Sequence, residues 1–148
     1  MYPQEIVQPM QEDLTSAGFT SLHTSEDVAS AISKEGTTLV VVNSVCGCAA
    51  ANARPGAKQS LVNEKTPDHL VTVFAGVDKD AVSKAREFMI PFPPSSPSMA
   101  LFKDGELVHM LERHHIEGRP AELISENLKA GNNCSLMKKR IKLSVFCA

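Results

Sequence analysis

Two cysteines separated by one glycine, Cys46-Gly47-Cys48, are the residues of this chain best suited to chemistry. They follow the β-branched and apolar run Thr37 to Asn43 and precede an alanine-rich segment that reaches about Asn63. That order places them at a strand-to-helix turn. A helix N-terminus offers unpaired N–H groups and a partial positive charge, which stabilise a thiolate and lower a cysteine pKa. Cys46 is therefore expected to be the attacking thiol. Once it carries a mixed disulfide, Cys48 is near enough to attack the inner sulfur and release the bound thiol. Gly47 lets the backbone bend for that step. A disulfide between residues two apart closes a very small ring, so it should be easy to reduce, as suits a catalyst that is recycled.

The pair has two other readings. Two thiolates can be half of a zinc or iron–sulfur site, completed by Cys134, Cys147 or the neighbours His114 and His115, which would make the protein a metal or iron–sulfur carrier. Alternatively both cysteines are small core hydrophobes, for which a glycine-containing loop is a poor place. His114 and His115 taken alone are expected to divide, one inward and hydrogen-bonded and one outward. Cys134 and Cys147 are expected to be bystander thiols.

The rest of the composition narrows the setting for this chemistry. The chain has 148 residues, 43% hydrophobic and 22% charged, which suits a single domain with an ordinary core. With 15 basic and 17 acidic residues and a formal charge of −2, it has no overall field to attract nucleic acid. No unbroken apolar run is longer than Leu39 to Val42, against the ~20 residues that cross a bilayer. The stretch Met1 to Leu14 has early acids and no apolar h-region, so no secretory signal is expected, and a cytoplasmic location follows. In a reducing compartment, close-set cysteines point to redox or metal chemistry rather than to structural bridges.

The elements that must position the turn alternate between helix and strand. Ile6, Met10, Leu14 and Ala17 form one stripe of a helix over Pro3 to Ala17, kinked or restarted at Pro9 and ended by Gly18. A second helix starts at Thr24 or Ser25, carries Glu26 and Asp27 in its first turn, buries Val28, Ala31 and Ile32, and stops at Gly36. Thr37 to Asn43 reads as a central strand buried on both faces. The segment after Cys48 reads as a helix broken at Pro55-Gly56. His69 to Ala75 is a strand, and Asp78 caps a helix through Phe88. Pro91 to Pro97 interrupts regular structure. Ser98 to Phe102 and Leu107 to Leu111 form a hairpin through the Asp104-Gly105 turn. Gly118-Arg119-Pro120 opens a last helix with Leu123, Ile124 and Leu128 on its apolar face, ended by Gly131. Residues 1–131 then form the domain. Residues 132–148 form a tail of unknown role, whose basic run Lys138 to Lys142 is read as solvated.

The strand, the cysteine pair at the following helix start, and the block Pro97-Ser98-Met99-Ala100-Leu101-Phe102-Lys103-Asp104-Gly105-Glu106 together resemble the thioredoxin superfamily. Four blocks resemble the bacilliredoxin family more closely: Met-Tyr-Pro-Gln-Glu-Ile-Val-Gln-Pro-Met at the start, Val-Val-Asn-Ser-Val-Cys-Gly-Cys-Ala at the turn, Pro-Pro-Ser-Ser-Pro-Ser, and Glu-Arg-His-His-Ile-Glu-Gly-Arg. The likeness spans Met1 to about Ala130. It implies an α/β thioredoxin-like fold with a mixed central sheet, helices on both faces and an extra N-terminal helix. It implies a cis Ser96–Pro97 bond, with Ser96 presenting backbone groups to the substrate and Pro97 shaping the floor of a groove. Gly118, in a turn at the same sheet edge, would permit close approach of a ligand.

The implied activity is removal of bacillithiol, a low-molecular-weight thiol, from mixed disulfides on cytosolic proteins. Cys46 would attack, Cys48 or a second bacillithiol would resolve, and weak disulfide isomerase activity is also implied. Bacillithiol is then a substrate, and no tightly bound cofactor, metal, nucleic acid or membrane is called for. The chain departs from ordinary thioredoxins in three ways. It has no tryptophan, it has one residue rather than two between the cysteines, and its strand Leu39 to Asn43 has no carboxylate to accept a proton.

Overall fold

Strand β2 (Thr37–Asn43) is buried at every residue, as a run of consecutive apolar and β-branched side chains requires. It lies at the centre of a five-stranded sheet of order β1-β3-β2-β4-β5 in a computed structural model that describes residues 2–63 and 65–137. β1 (Thr20–Ser21) and β2 run parallel to β3 (His69–Phe74), whereas β4 (Ser98–Lys103) runs antiparallel to both β2 and β5 (Glu106–Leu111). The sheet is therefore mixed. The β4–β5 hairpin turns at Asp104 (φ 51°) and Gly105 (φ 86°), the two left-handed residues that a two-residue turn of this hand demands.

Alternate residues of the sheet supply two cores. Val40, Val42, Val71, Val73, Ala100 and Phe102 pack against Val28, Ile32, Ala81, Val82 and Ala85 of α2 (Ser25–Ile32) and α4 (Lys79–Phe88). Leu39, Val41, Met99, Leu101 and Leu111 pack on the other face. Their partners there are Leu14 of α1 (Gln4–Thr15), Ala57 of α3 (Arg54–Ser60), and Ile124 and Leu128 of α6 (Ala121–Met137). Helices thus cover both faces, and α1 is the additional N-terminal one. Thr24 caps α2 by accepting the Asp27 N–H at 3.1 Å.

Several local expectations are corrected. Pro9 lies within a continuous α1, on its exposed side, where water can satisfy the carbonyl that loses its N–H partner. Val7 and Leu14 are the buried residues of that helix, while Ile6 is half-exposed. Asp78 does not cap α4 through its side chain; its carboxylate accepts the Phe74 N–H at 3.2 Å and pairs with His23 at 2.8 Å. β1 and the single-turn α5 (Arg113–Ile116) are too short to leave a periodic signal.

Helix α6 does not stop at Gly131 but continues to Met137, so the boundary expected at 131/132 falls inside a helix. A Cβ at Gly131 would lie 2.5 Å from Cδ2 of the buried His109. The glycine serves close packing of α6 on β5. The expectations for the Cys134 side chain, for Lys138 to Lys142 and for Cys147 lie outside the described residues.

Candidate active site

The segment bearing the two cysteines leaves the carboxyl end of β2 with both of its ends fixed. The buried Asn43 accepts the Ser44 N–H at 2.9 Å and an N–H of Arg54 at 3.0 Å, and donates to the Met10 carbonyl at 3.0 Å. Arg54, 5% exposed, also donates to the Ser44 carbonyl at 3.2 Å and to Asp13 at 3.2 Å. Lys58 reaches the same carboxylate. Partial burial works against ionisation of Asp13, but the Lys58 and Arg54 charges prevail and hold its pKa below the usual value. A charged network thus joins α1, the end of β2 and α3 beneath the turn.

Beyond Cys48 the chain forms a wide π-helical turn, Ala49–Ala53, before α3 begins. Pro55 has no N–H to continue an ordinary ladder, and the wide turn stands immediately before it. The N–H groups of Ala49 and Ala50 both point to the Cys46 carbonyl, at 3.0 and 3.4 Å. The helical start thus closes around Cys46.

The Cys46 and Cys48 sulfurs are 2.7 Å apart and both cysteines are free. Cys46 is part-exposed and Cys48 is buried. Partial burial pushes the Cys46 thiol up. Hydrogen bonds from the Cys48 thiol, the Ser44 hydroxyl at 3.3 Å and the backbone N–H groups of Ala49 and Cys48 outweigh it, so the pKa is lowered. Cys48 shifts the other way. Burial raises its pKa first, and its hydrogen bond to Cys46 and the charge of that sulfur raise it further; the Arg113 cation opposes them. Two chemically identical side chains are therefore made unequal, with ionisation favoured at Cys46 and disfavoured at Cys48.

Two other loops meet this turn. The Ser96–Pro97 bond is cis, and the Ser96 carbonyl accepts an N–H of Arg113 at 3.2 Å. The Arg113 backbone N–H donates to Ser95 Oγ at 3.2 Å, and its Nε donates to Glu117 at 3.4 Å. The same guanidinium lies within the electrostatic reach of both cysteines; Cys48 first, then Glu117 and Cys46, raise its pKa. Asn52, in the π turn, donates to the Arg119 carbonyl. The Cys46 turn, the Ser96–Pro97 loop and the loop carrying Gly118 are thereby tied together at one edge of the sheet. Gly118 has φ 73°, and a Cβ there would meet nothing within 4 Å, as is also true at Gly47. Both glycines border open space.

Ser44, Arg54 and Arg113 are the site residues that the sequence did not single out. Arg113 stood in a recognised block, but its reach to Ser96 and to the sulfurs depends on how α5 is placed. His114 and His115 do not divide as expected, since both are exposed. His115 accepts the Glu112 N–H at 3.0 Å in a capping box, and partial desolvation of its ring, then the His114 charge, lowers its pKa. Glu112, His114 and His115 bring their ligand atoms within 4.8 Å of one another. Among the described residues, no third metal donor groups with the cysteine pair.

Comparison with known proteins gives a consistent result. The family model described as disulphide isomerase matches residues 2–134. A bacilliredoxin of Cytophaga hutchinsonii is 60% identical over 129 residues, covering 87% of this chain and 96% of that protein. A bacilliredoxin of Halalkalibacterium halodurans is 55% identical over 133 residues, covering 89% and 92% respectively. Among solved structures, oxidized mitochondrial thioredoxin 3 of Saccharomyces cerevisiae matches with a TM-score of 0.55 at 17% identity. That match covers 82% of this chain and 98% of the thioredoxin, and it shows a shared thioredoxin fold.

Proposed function

The chain belongs to the bacilliredoxin family, and from that premise we propose that this thiol–disulfide oxidoreductase removes bacillithiol from mixed disulfides on cytosolic proteins. The observation that carries the reading is the division of the cysteine pair, with Cys46 favoured as thiolate and Cys48 as thiol. The Cys46 thiolate attacks the bacillithiol sulfur of the modified protein. The sulfur–sulfur bond to the protein breaks, the protein leaves as a thiolate and takes a proton from water, and Cys46 is left bonded to bacillithiol.

Two routes complete the cycle. Cys48 loses its proton and attacks the Cys46 sulfur, which releases bacillithiol and leaves a Cys46–Cys48 disulfide for an external dithiol to reduce. Alternatively a second bacillithiol attacks the first, so that Cys46 returns as a thiolate and bacillithiol disulfide departs. Both routes conserve electrons without a bound cofactor. Gly47 supports the bend between the sulfurs. Ser96, Pro97 and Gly118 border the groove that receives the substrate.

The test is release of bacillithiol from a bacillithiolated protein, beside a glutathionylated one. Cys46→Ala should abolish release. Cys48→Ala should retain the first step and accumulate a Cys46–bacillithiol adduct visible by mass. Equal loss in the two variants would sink the division of labour, and preference for the glutathionylated protein would remove bacillithiol as the substrate. The disulphide isomerase description of the matched family favours a second activity at the same site, reshuffling of protein disulfides. It requires Cys46 alone and is read by recovery of a scrambled substrate.

A further inference from the structure

We infer that Arg113 determines which small thiol the site accepts, its guanidinium receiving a carboxylate on the thiol that becomes bonded to Cys46. The inference rests on the proposed attack of Cys46 on a small-thiol mixed disulfide and adds the chemistry by which that thiol is recognised.

Arg113 is firmly placed yet partly unoccupied. Its side chain is 44% exposed. Its backbone is held by Ser95 Oγ at 3.2 Å, one Nη donates to the Ser96 carbonyl at 3.2 Å, and Nε donates to Glu117 at 3.4 Å. Among the described residues, the other Nη has no hydrogen-bond partner, so part of a planar donor fork is left available beside the loop that carries the cis Ser96–Pro97 bond. A carboxylate is the ligand group that such a fork fits best.

Charge changes during the reaction favour the same ligand. Before attack, the Cys46 thiolate is a counter-charge for Arg113. Once Cys46 is bonded to the small thiol, its sulfur is neutral and that counter-charge is gone. Glu117 remains, at 60% side-chain exposure, and Glu112 is engaged in capping α5. His114, His115 and Arg119 on the same segment add no negative charge. A carboxylate on the incoming thiol would replace the charge that the covalent step removes.

The test uses the whole protein and one single-cysteine peptide in mixed disulfide with either 3-mercaptopropionate or 2-mercaptoethanol. Each kcat/KM is divided by the rate of free dithiothreitol on the same substrate, which cancels intrinsic reactivity. The wild type should prefer the carboxylate-bearing substrate. The ratio of the two normalised values should fall about tenfold in Arg113→Gln, as expected for loss of one charge-assisted contact, and recover in part in Arg113→Lys. Equal proportional loss on both substrates would mean that Arg113 only holds the Ser96 loop or tunes the thiols, and would overturn the inference. A wild type that releases both thiols without preference would overturn it while leaving the proposed reaction standing. A wild type that releases neither would also overturn the inference, while the proposed reaction is judged separately by release of bacillithiol itself.

Discussion

The Arg54 guanidinium donates to Asn43 Oδ1 at 3.0 Å and to the Ser44 carbonyl at 3.2 Å, and so joins the end of β2 to the start of α3 across the cysteine-bearing turn. Arg54→Ala would leave the buried Ser44 carbonyl without this donor and remove a cation from Asp13. The expected loss is about 2 kcal/mol of unfolding free energy, measured by urea denaturation. Arg54→Lys should recover only part of it, because an ammonium cannot span three acceptors in a fixed plane.

The lowering of the Cys46 pKa depends on named donors, so its reactivity should follow them. Removing a donor raises the pKa, and at any pH below it the thiolate fraction falls. Ser44→Ala should therefore slow alkylation of Cys46 by iodoacetamide several-fold near neutral pH and move the rise of its rate profile to higher pH. Cys48→Ala removes the strongest of these donors and should shift the profile further. An unchanged profile in both variants would show that the helix start alone sets the thiolate.

Gly56 is packed where a side chain cannot fit. A Cβ there would lie 2.5 Å from Cγ2 of Ile124 and 3.3 Å from the Ala121 carbonyl, between α3 and α6. Gly56→Ala should destabilise the fold by about 1–3 kcal/mol through overpacking. A thermal melt that matches the wild type would contradict this packing.

Gly118 makes the opposite case, since its Cβ position is empty and only φ 73° disfavours a side chain. Gly118→Ala should cost about 1 kcal/mol, and Gly118→Asn less, because asparagine tolerates the left-handed region. Denaturant titration of the two variants distinguishes a conformational origin from a steric one.

The sequence was most legible where local order carries the information. The unbroken apolar run Thr37–Asn43 announced a strand buried on both faces, and Asp104-Gly105 announced a tight hairpin, because each pattern has few other solutions. The cysteine pair at a strand-to-helix turn was visible for the same reason. Local patterns also misled. Gly131 reads as a helix stop by type alone, yet it lies inside α6, where the buried ring of His109 leaves no room for a larger residue. His114 and His115 were expected to divide between core and solvent, whereas a single turn of helix exposes both.

By itself, the sequence determined the α/β class, the central strand, the position of the thiols and the family to which the chain belongs, since residue type and short-range spacing suffice for these. Only the tertiary structure decided which donors reach each sulfur and how deeply each is buried, and these are what make Cys46 and Cys48 unequal. Ser44 and the helix N–H groups are near Cys46 in the chain, but their aim is set by a turn clamped between Asn43 and Arg54. Arg113 lies more than sixty residues beyond the cysteines and reaches the same edge because β4, β5 and α5 return the chain there. Hydrogen bonds and charges act over a few ångströms of space, and closeness in space between distant residues exists only once the chain has folded.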